Sequence, residues 1–359
     1  MKFTVIDLFS GVGALSYGFS QFKEFELLAA NEIDKDIATA YKLNHPTAEM
    51  FNCDIKNLTK EDLLKALNGR SVDVVIGGPP CQSYSTLGKR QLDERANLFM
   101  QYKRILEILQ PKVFVYENVT GLLTINKGKL FIKLQYEFEE LGYRLKYRVL
   151  NAADYGVPQH RERVILVGVK GENNFSFPKA THGEGLKPYV TFGDALLDLP
   201  SLTPGETKDF YIDEPINDFL KFVRKNANKT VESHSAPNHN NKVIKTMKAL
   251  KEGESKFDLP DEIRPKSGYD NTYAKLWWDK PSTTITRNFA CPSSTRCIHP
   301  TESRALTIRE GARLQSFPDD YIFYGSKEKK RLEIGNAVPP LLSIALAKQV
   351  LKLLRFILL

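Results

Sequence analysis

Phe3-Thr4-Val5-Ile6-Asp7-Leu8 runs directly into Phe9-Ser10-Gly11-Val12-Gly13-Ala14, and this junction decides the fold. Apart from Asp7, the first six residues are apolar or β-branched, the composition of a buried strand. The next stretch carries two glycines and opens a helix candidate reaching Phe22. Glycines between a strand and a helix let the backbone approach a ligand closely. In open α/β sheets, ligands bind at the carboxyl ends of the strands.

The same alternation continues outward from that junction. Phe25 to Ala30 reads as a strand, followed by a helix from about Asp34 to Leu43. Ala48 to Asn52 is short and extended. Thr59 can cap a helix to Leu67, with Glu61 and Asp62 in its first turn. Val72 to Ile76 is a buried strand, Asn97 to Leu109 a helix, and Val113 to Tyr116 another buried strand. A helix from Lys129 to Leu141 stops at Gly142. Arg144 to Asn151 and Val164 to Val169 are strands. Such alternation predicts an α/β fold with a doubly wound, mixed but mostly parallel sheet.

After Gly171 the composition changes. Pro, Gly, Asn and Lys become frequent, and helical periodicity fades until about Asn241. Regular structure returns near Thr307, and a helix from Leu341 onward can rejoin the first sheet. At roughly 150 residues per domain, 359 residues suggest two domains. The expected division is a catalytic domain over 1–186, completed by 333–359, and a smaller, irregular domain with a hinge over 187–332. The cluster Lys327, Lys329, Lys330 and Arg331 reads as a solvated loop.

Hydrophobic residues make up 42% and charged residues 26%, an ordinary balance for a chain that buries a sizeable core. No apolar run approaches the ~20 residues of a membrane span. The start of the chain meets Asp7 too early for a signal peptide, so a cytoplasmic location, without a membrane partner, is expected. A formal charge of +8 favours polyanionic partners. Cys53, Cys81, Cys291 and Cys297 form no CxxC pair, so no metal site is expected.

Three features place chemistry at the strand ends. Gly11 and Gly13 follow the first strand, Glu32 the second and Asp54 the third. Taken singly, each is an ordinary turn or a solvated acid. In this order they describe the site of a nucleoside-bearing cofactor, with the acids accepting from ribose hydroxyls and an adenine amino group. Gly77-Gly78-Pro79-Pro80-Cys81-Gln82-Ser83-Tyr84-Ser85 follows Val72 to Ile76 and pins a cysteine at the same edge. A thiol held there near helix N-termini suits a thiolate nucleophile. Glu117 ends the next buried strand and faces the same pocket if the two strands lie side by side. Arg161 and Arg163 stand two residues apart at a strand entry, which alternation places on one face.

These motifs, in this order, resemble the DNA (cytosine-5) methyltransferase family, in its bacterial restriction-modification form. The matching stretches are DLFSGVG from Asp7, NEID from Asn31, CDI from Cys53, GGPPCQSYS from Gly77, ENV from Glu117 and QHRERV from Gln159. They continue with HPTESRALTIREGARLQSFPDDY from His299 and IGNAVPP from Ile334, covering nearly the whole chain except its middle. Ala14 departs from the third glycine of many members.

The resemblance implies the fold of S-adenosylmethionine-dependent methyltransferases, with S-adenosylmethionine as cofactor and double-stranded DNA as partner. Cys81 resembles the nucleophile that adds to C6 of a cytosine flipped out of the duplex, at a cost of a few kcal/mol for unstacking. Glu117 resembles the acid at N3 and the amino group, which a raised pKa would let act as a donor. Arg163 resembles the contact to O2, with Arg161 in the same pocket. Phe9, Gly11, Gly13, Glu32, Ile33, Asp54, Ile55, Pro80, Leu98, Asn336 and Val338 resemble cofactor contacts, and Gln82, Ser85 and Arg287 DNA contacts. The middle domain is then the target-recognition domain. A monomer, working beside a restriction endonuclease that cuts the same sites, is expected. The tRNA-modifying branch of this fold has a Cys-Phe-Thr motif that is missing here. A catalytically silent DNA-binding regulator would have lost Cys81, Glu117 or the glycine loop.

Overall fold

The computed structural model describes residues 2–80, 98–266 and 269–358. The chain divides into two compact units. The first comprises Met1–Asn151, Glu162–Lys179 and Leu342–Leu359, and the second Ala152–Arg161 and Ala180–Leu341. The break expected near 186 therefore follows Lys179, and the return expected near 333 comes at Leu342.

The first unit is built on one seven-stranded sheet. Its strands are β1 (Phe3–Leu8), β2 (Phe25–Asn31), β3 (Glu49–Phe51), β4 (Val74–Gly77), β5 (Val113–Val119), β6 (Tyr143–Asn151) and β7 (Glu162–Lys170). The order is β3-β2-β1-β4-β5-β7-β6. Pairings among β1 to β5 are parallel, while β7 runs antiparallel to both β5 and β6. Every residue of β1 and β4 is buried, as sheets covered on both faces require.

The helices of this unit are α1 (Ala14–Ser20), α2 (Lys35–Asn44), α3 (Lys60–Leu67), α4 (Leu98–Leu109) and α5 (Lys129–Glu139). Local chemistry starts them. Asp34 accepts from the Asp36 and Ile37 N–H groups at the head of α2, and Thr59 with Asp62 forms a capping box on α3. Tyr102 and Leu106 of α4 and Leu134 and Phe138 of α5 pack on Val75, Phe114 and Leu166 of the sheet. Each fully buried large apolar side chain contributes about 1.5–3 kcal/mol.

The second unit contains α6 (Phe192–Leu196), α7 (Asp218–Val223), α8 (Asn241–Ala249), α9 (Ile308–Leu314) and α10 (Lys327–Asn336). A last helix, α11 (Pro340–Ile357), carries the chain back into the first unit. The sequence shows no helical period before Asn241, yet α6 and α7 form there. They are too short to display one, and each is started by a cap, the Thr191–Asp194 box and Asn217. The basic cluster expected as a loop lies on α10, capped by Ser326.

Much of the interior of this unit is charged. Arg304 pairs with Glu310 at 2.6 Å, and Asp319 receives Arg313 at 2.7 Å and Arg309 at 3.2 Å. Among the described residues, no single helix is long and apolar enough to cross a membrane.

Candidate active site

Because β1, β2, β4 and β5 run parallel, their carboxyl ends share one edge of the sheet. Strand β7 runs the other way and begins there, with Arg163 opposite Val119. This topology gathers the glycine loop, Glu32, the Gly78–Pro80 turn, Glu117 and Arg163 at a single edge. The family resemblance put Arg163 and Glu117 on one base, and the antiparallel return of β7 shows how the fold brings the two side chains together.

The glycine loop is tied to the second strand. The Gly11 N–H donates to Glu32 Oε2 at 3.0 Å, and the Asp34 N–H donates to Oε1 at 2.9 Å. Burial pushes Glu32 above the usual carboxylate range, against the opposing pull of these N–H groups. A Cβ added at Gly11 would meet nothing within 4 Å, so this side of the loop is open. The neighbouring Ile33 is 65% exposed, unusual for an isoleucine. Asp54 is half-buried and accepts the Lys56 N–H at 2.9 Å, capping a 3-10 turn over Ile55–Asn57. Ile55 is buried in the sheet core, and Phe9 and Leu98 pack partly buried against it. An open glycine turn, an anchored acid and an exposed apolar side chain are groups that could hold a nucleoside-bearing cofactor.

Across the same edge, Glu117 Oε1 lies 2.9 Å from Arg163 Nε, and each side chain is about 12% exposed. Burial pushes the Arg163 guanidinium down, and Glu117 beside it pushes back. Gly78 makes the arrangement possible: a Cβ there would stand 2.6 Å from Glu117 Oε2. Asn118, next to Glu117 and buried, donates from Nδ2 to the Pro79 carbonyl at 3.0 Å, and its Oδ1 accepts the Val119 N–H at 2.9 Å. The turn leading toward position 81 is thus held from β5. Pro80, its last described residue, is exposed. Cys81, Gln82 and Ser85 lie outside the described residues.

Arg161 departs from expectation. It precedes β7 and belongs to the second unit, so strand alternation does not place it beside Arg163. Its side chain is buried and donates to the Ile285 carbonyl from Nη1 and the Gly335 carbonyl from Nη2, both at 2.9 Å. Gln159 works beside it, donating to the Leu314 carbonyl and to Gln315 Oε1 and accepting the Ile285 N–H. Together they bind the Ile285 and Gly335 segments into one piece. Within the same unit Arg287 and Asn336 are exposed, and Val338 is buried.

Sequence reading passed over Gly78, Asn118 and Gln159. The GGPP and ENV stretches signalled the first two, but only as rigid backbone and as the neighbour of an acid. Their roles depend on which side chain reaches across from an adjacent strand.

Comparison with known proteins agrees with this geometry. The sequence pattern of the C-5 cytosine-specific DNA methylase family matches residues 3–352. The type II methyltransferase M1.HphI of Haemophilus parahaemolyticus is 40% identical over 98% of this chain and 88% of its own length. M.DdeI of Desulfomicrobium norvegicum, also a type II methyltransferase, is 35% identical over 96% of this chain and 88% of its own. The crystal structure of a prophage-encoded DNA modification methyltransferase from E. coli superposes with a TM-score of 0.81 at 27% identity, covering 99% of this chain and 100% of that one. A methyltransferase of this family and fold is S-adenosylmethionine-dependent. The chain belongs to the C-5 cytosine-specific DNA methylase family and is a DNA cytosine-5 methyltransferase.

Proposed function

We propose that this enzyme methylates a cytosine swung out of duplex DNA, using Cys81 as nucleophile and Glu117 and Arg163 to hold the base. The observation that carries this reading is the Glu117–Arg163 pair, set at the same sheet edge as the Gly11–Glu32 loop. Phe9, Gly11, Gly13, Glu32, Ile33 and Asp54 would hold S-adenosylmethionine, with Pro80, Leu98, Asn336 and Val338 as further contacts. When bound, it supplies an electrophilic methyl group.

The protein's part is to make carbon 5 of cytosine nucleophilic. The Cys81 thiolate adds to C6, and the ring electron pair moves toward C5 and N3. Arg163 at O2 and Glu117 at N3 and the amino group stabilise that charge as it develops. In its protonated form Glu117 would donate to N3, and Arg163 beside it would face O2. Loss of the C5 proton and expulsion of Cys81 restore the aromatic ring. Arg161 is a positioning residue in this scheme, acting through the Ile285 and Gly335 carbonyls.

The second unit acts as the target-recognition domain, with Arg287, Gln82 and Ser85 on the DNA. The setting is cytoplasmic, and the biological role is protection of host DNA from a restriction endonuclease, by analogy with the type II relatives. The test is methyl transfer from labelled S-adenosylmethionine to duplex DNA, with bisulfite sequencing to read the sites. Transfer to cytosine C5 in duplex DNA, abolished in Cys81→Ser with DNA binding retained, is expected. Labelling of tRNA alone, or full transfer by Cys81→Ser, would overturn it.

A further inference from the structure

The glycine loop is held from a second side by residues that no step above uses. Gly13 lies in the left-handed region at φ 89° and caps α1. Its carbonyl accepts two donors, the Tyr17 N–H at 2.8 Å and His45 Nε2 at 3.0 Å. A carbonyl can only accept, so Nε2 carries the proton in this contact. Burial pushes His45 down to about 4, which keeps the ring neutral at working pH.

The ring also fills the space that a side chain at 13 would occupy. A Cβ there would stand 2.6 Å from His45 Cδ2 and Nε2 and 2.8 Å from Tyr41 Cδ2. The Tyr41 and His45 rings pack tilted against each other, with centroids 4.8 Å apart. The Tyr41 hydroxyl lies 3.0 Å from Ser16 Oγ, which donates to Asp7 Oδ2 at 2.7 Å. Asp7, Ser16, Tyr41 and His45 are all buried. The end of α2, the start of α1 and the end of β1 therefore meet beneath one turn. Glu32 fixes that turn at the Gly11 N–H, and His45 fixes it at the Gly13 carbonyl.

We propose that His45 is a positioning residue for the cofactor: its Nε2–H bond to Gly13 holds the Gly11–Gly13 turn in the shape that accepts S-adenosylmethionine. This rests on the reading of that turn as the cofactor loop. The bond matters for binding because an unheld turn at positive φ must be ordered when the ligand arrives, and that ordering weakens affinity.

The test is calorimetric binding of S-adenosylmethionine and of S-adenosylhomocysteine, without DNA, to His45→Phe and His45→Gln. Phenylalanine keeps a ring under Gly13 and removes the donor. Glutamine keeps a donor at the place of Nε2. His45→Phe is expected to weaken both ligands about fivefold, the effect of one net hydrogen bond, with binding of duplex DNA alone unchanged. His45→Gln is expected to stay within about twofold of the wild type. Equal, wild-type affinity in both variants, even with a lowered melting temperature, would overturn the proposal, because a merely structural role predicts that pattern. If the unaltered protein binds neither ligand, the cofactor-loop reading itself is wrong.

Discussion

At the scale of single residues, Gly78 matters for the atom it lacks. Gly78 has no side chain, and Glu117 Oε2 occupies the space a methyl group would take. Alanine at 78 adds only one carbon, but its neighbour is the Glu117 side chain, proposed above to meet the base. The main clash falls on the Glu117 side chain, while the Glu117 carbonyl oxygen, at 3.1 Å, need give only a few tenths of an ångström. Displacing a catalytic group by about 1 Å costs on the order of 100-fold in rate. Gly78→Ala is therefore expected to lower kcat by about that factor while moving Tm little. An active Gly78→Ala variant would mean that Glu117 can work from another rotamer. The same scale separates the two arginines of the QHRER stretch. Arg163 reaches the acid, whereas Arg161 spends its guanidinium on two backbone carbonyls.

At the scale of elements, the parts of the site that lie on strand ends were legible in the sequence. Short apolar runs closed by glycines or acids mark β1 and β2 to within a residue, while β4 starts two residues after Val72 and β5 runs three past Tyr116; the parallel pairing follows from the intervening helices. Gly11, Glu32 and Glu117 could thus be named from the chain alone. What the sequence hides is anything set by a partner far along it. Strand β7 pairs antiparallel with β5, which carries Arg163 to Glu117 across a long separation. Asn118 reads as the neighbour of an acid until the Pro79 carbonyl is seen above it. Nothing in the sequence singles out His45, and only the fold sets its ring under Gly13. The helices α6 and α7 escaped notice for a simpler reason: five or six residues do not complete enough turns to show a period.

At the scale of the whole molecule, the two units are stabilised differently. The first rests on a mostly apolar core between sheet and helices. The second buries Arg313 against Asp198 and Asp319, with Arg309 and Tyr211 on the same aspartate. Burial alone would raise Asp319, but Arg313 and Arg309 override it and hold the carboxyl below its usual value. With its folded pKa depressed, Asp319 contributes stability above the unfolded value of 3.8, and that contribution is lost as the pH falls below it. Removing one partner of a buried ion pair costs about 3–5 kcal/mol, and because Asp319 keeps Arg309 and Asp198 keeps Arg224 when Arg313 is lost, the lower end of that range applies. Both tryptophans, Trp277 and Trp278, lie in the second unit, so their fluorescence follows that unit alone. Arg313→Met is expected to lower its unfolding free energy, read by tryptophan fluorescence in urea, by about that amount. A loss under about 1 kcal/mol would show that the charged interior is dispensable.

The proposed mechanism turns on one reacting sulfur, that of Cys81. A duplex carrying 5-fluorocytosine at the target base tests it most directly, since fluorine at C5 cannot leave as the proton does. With S-adenosylmethionine present, the enzyme should become covalently linked to the DNA, with the bond mapped by mass spectrometry to Cys81. Absence of any linked species under turnover conditions, or a bond at another residue, would contradict the account.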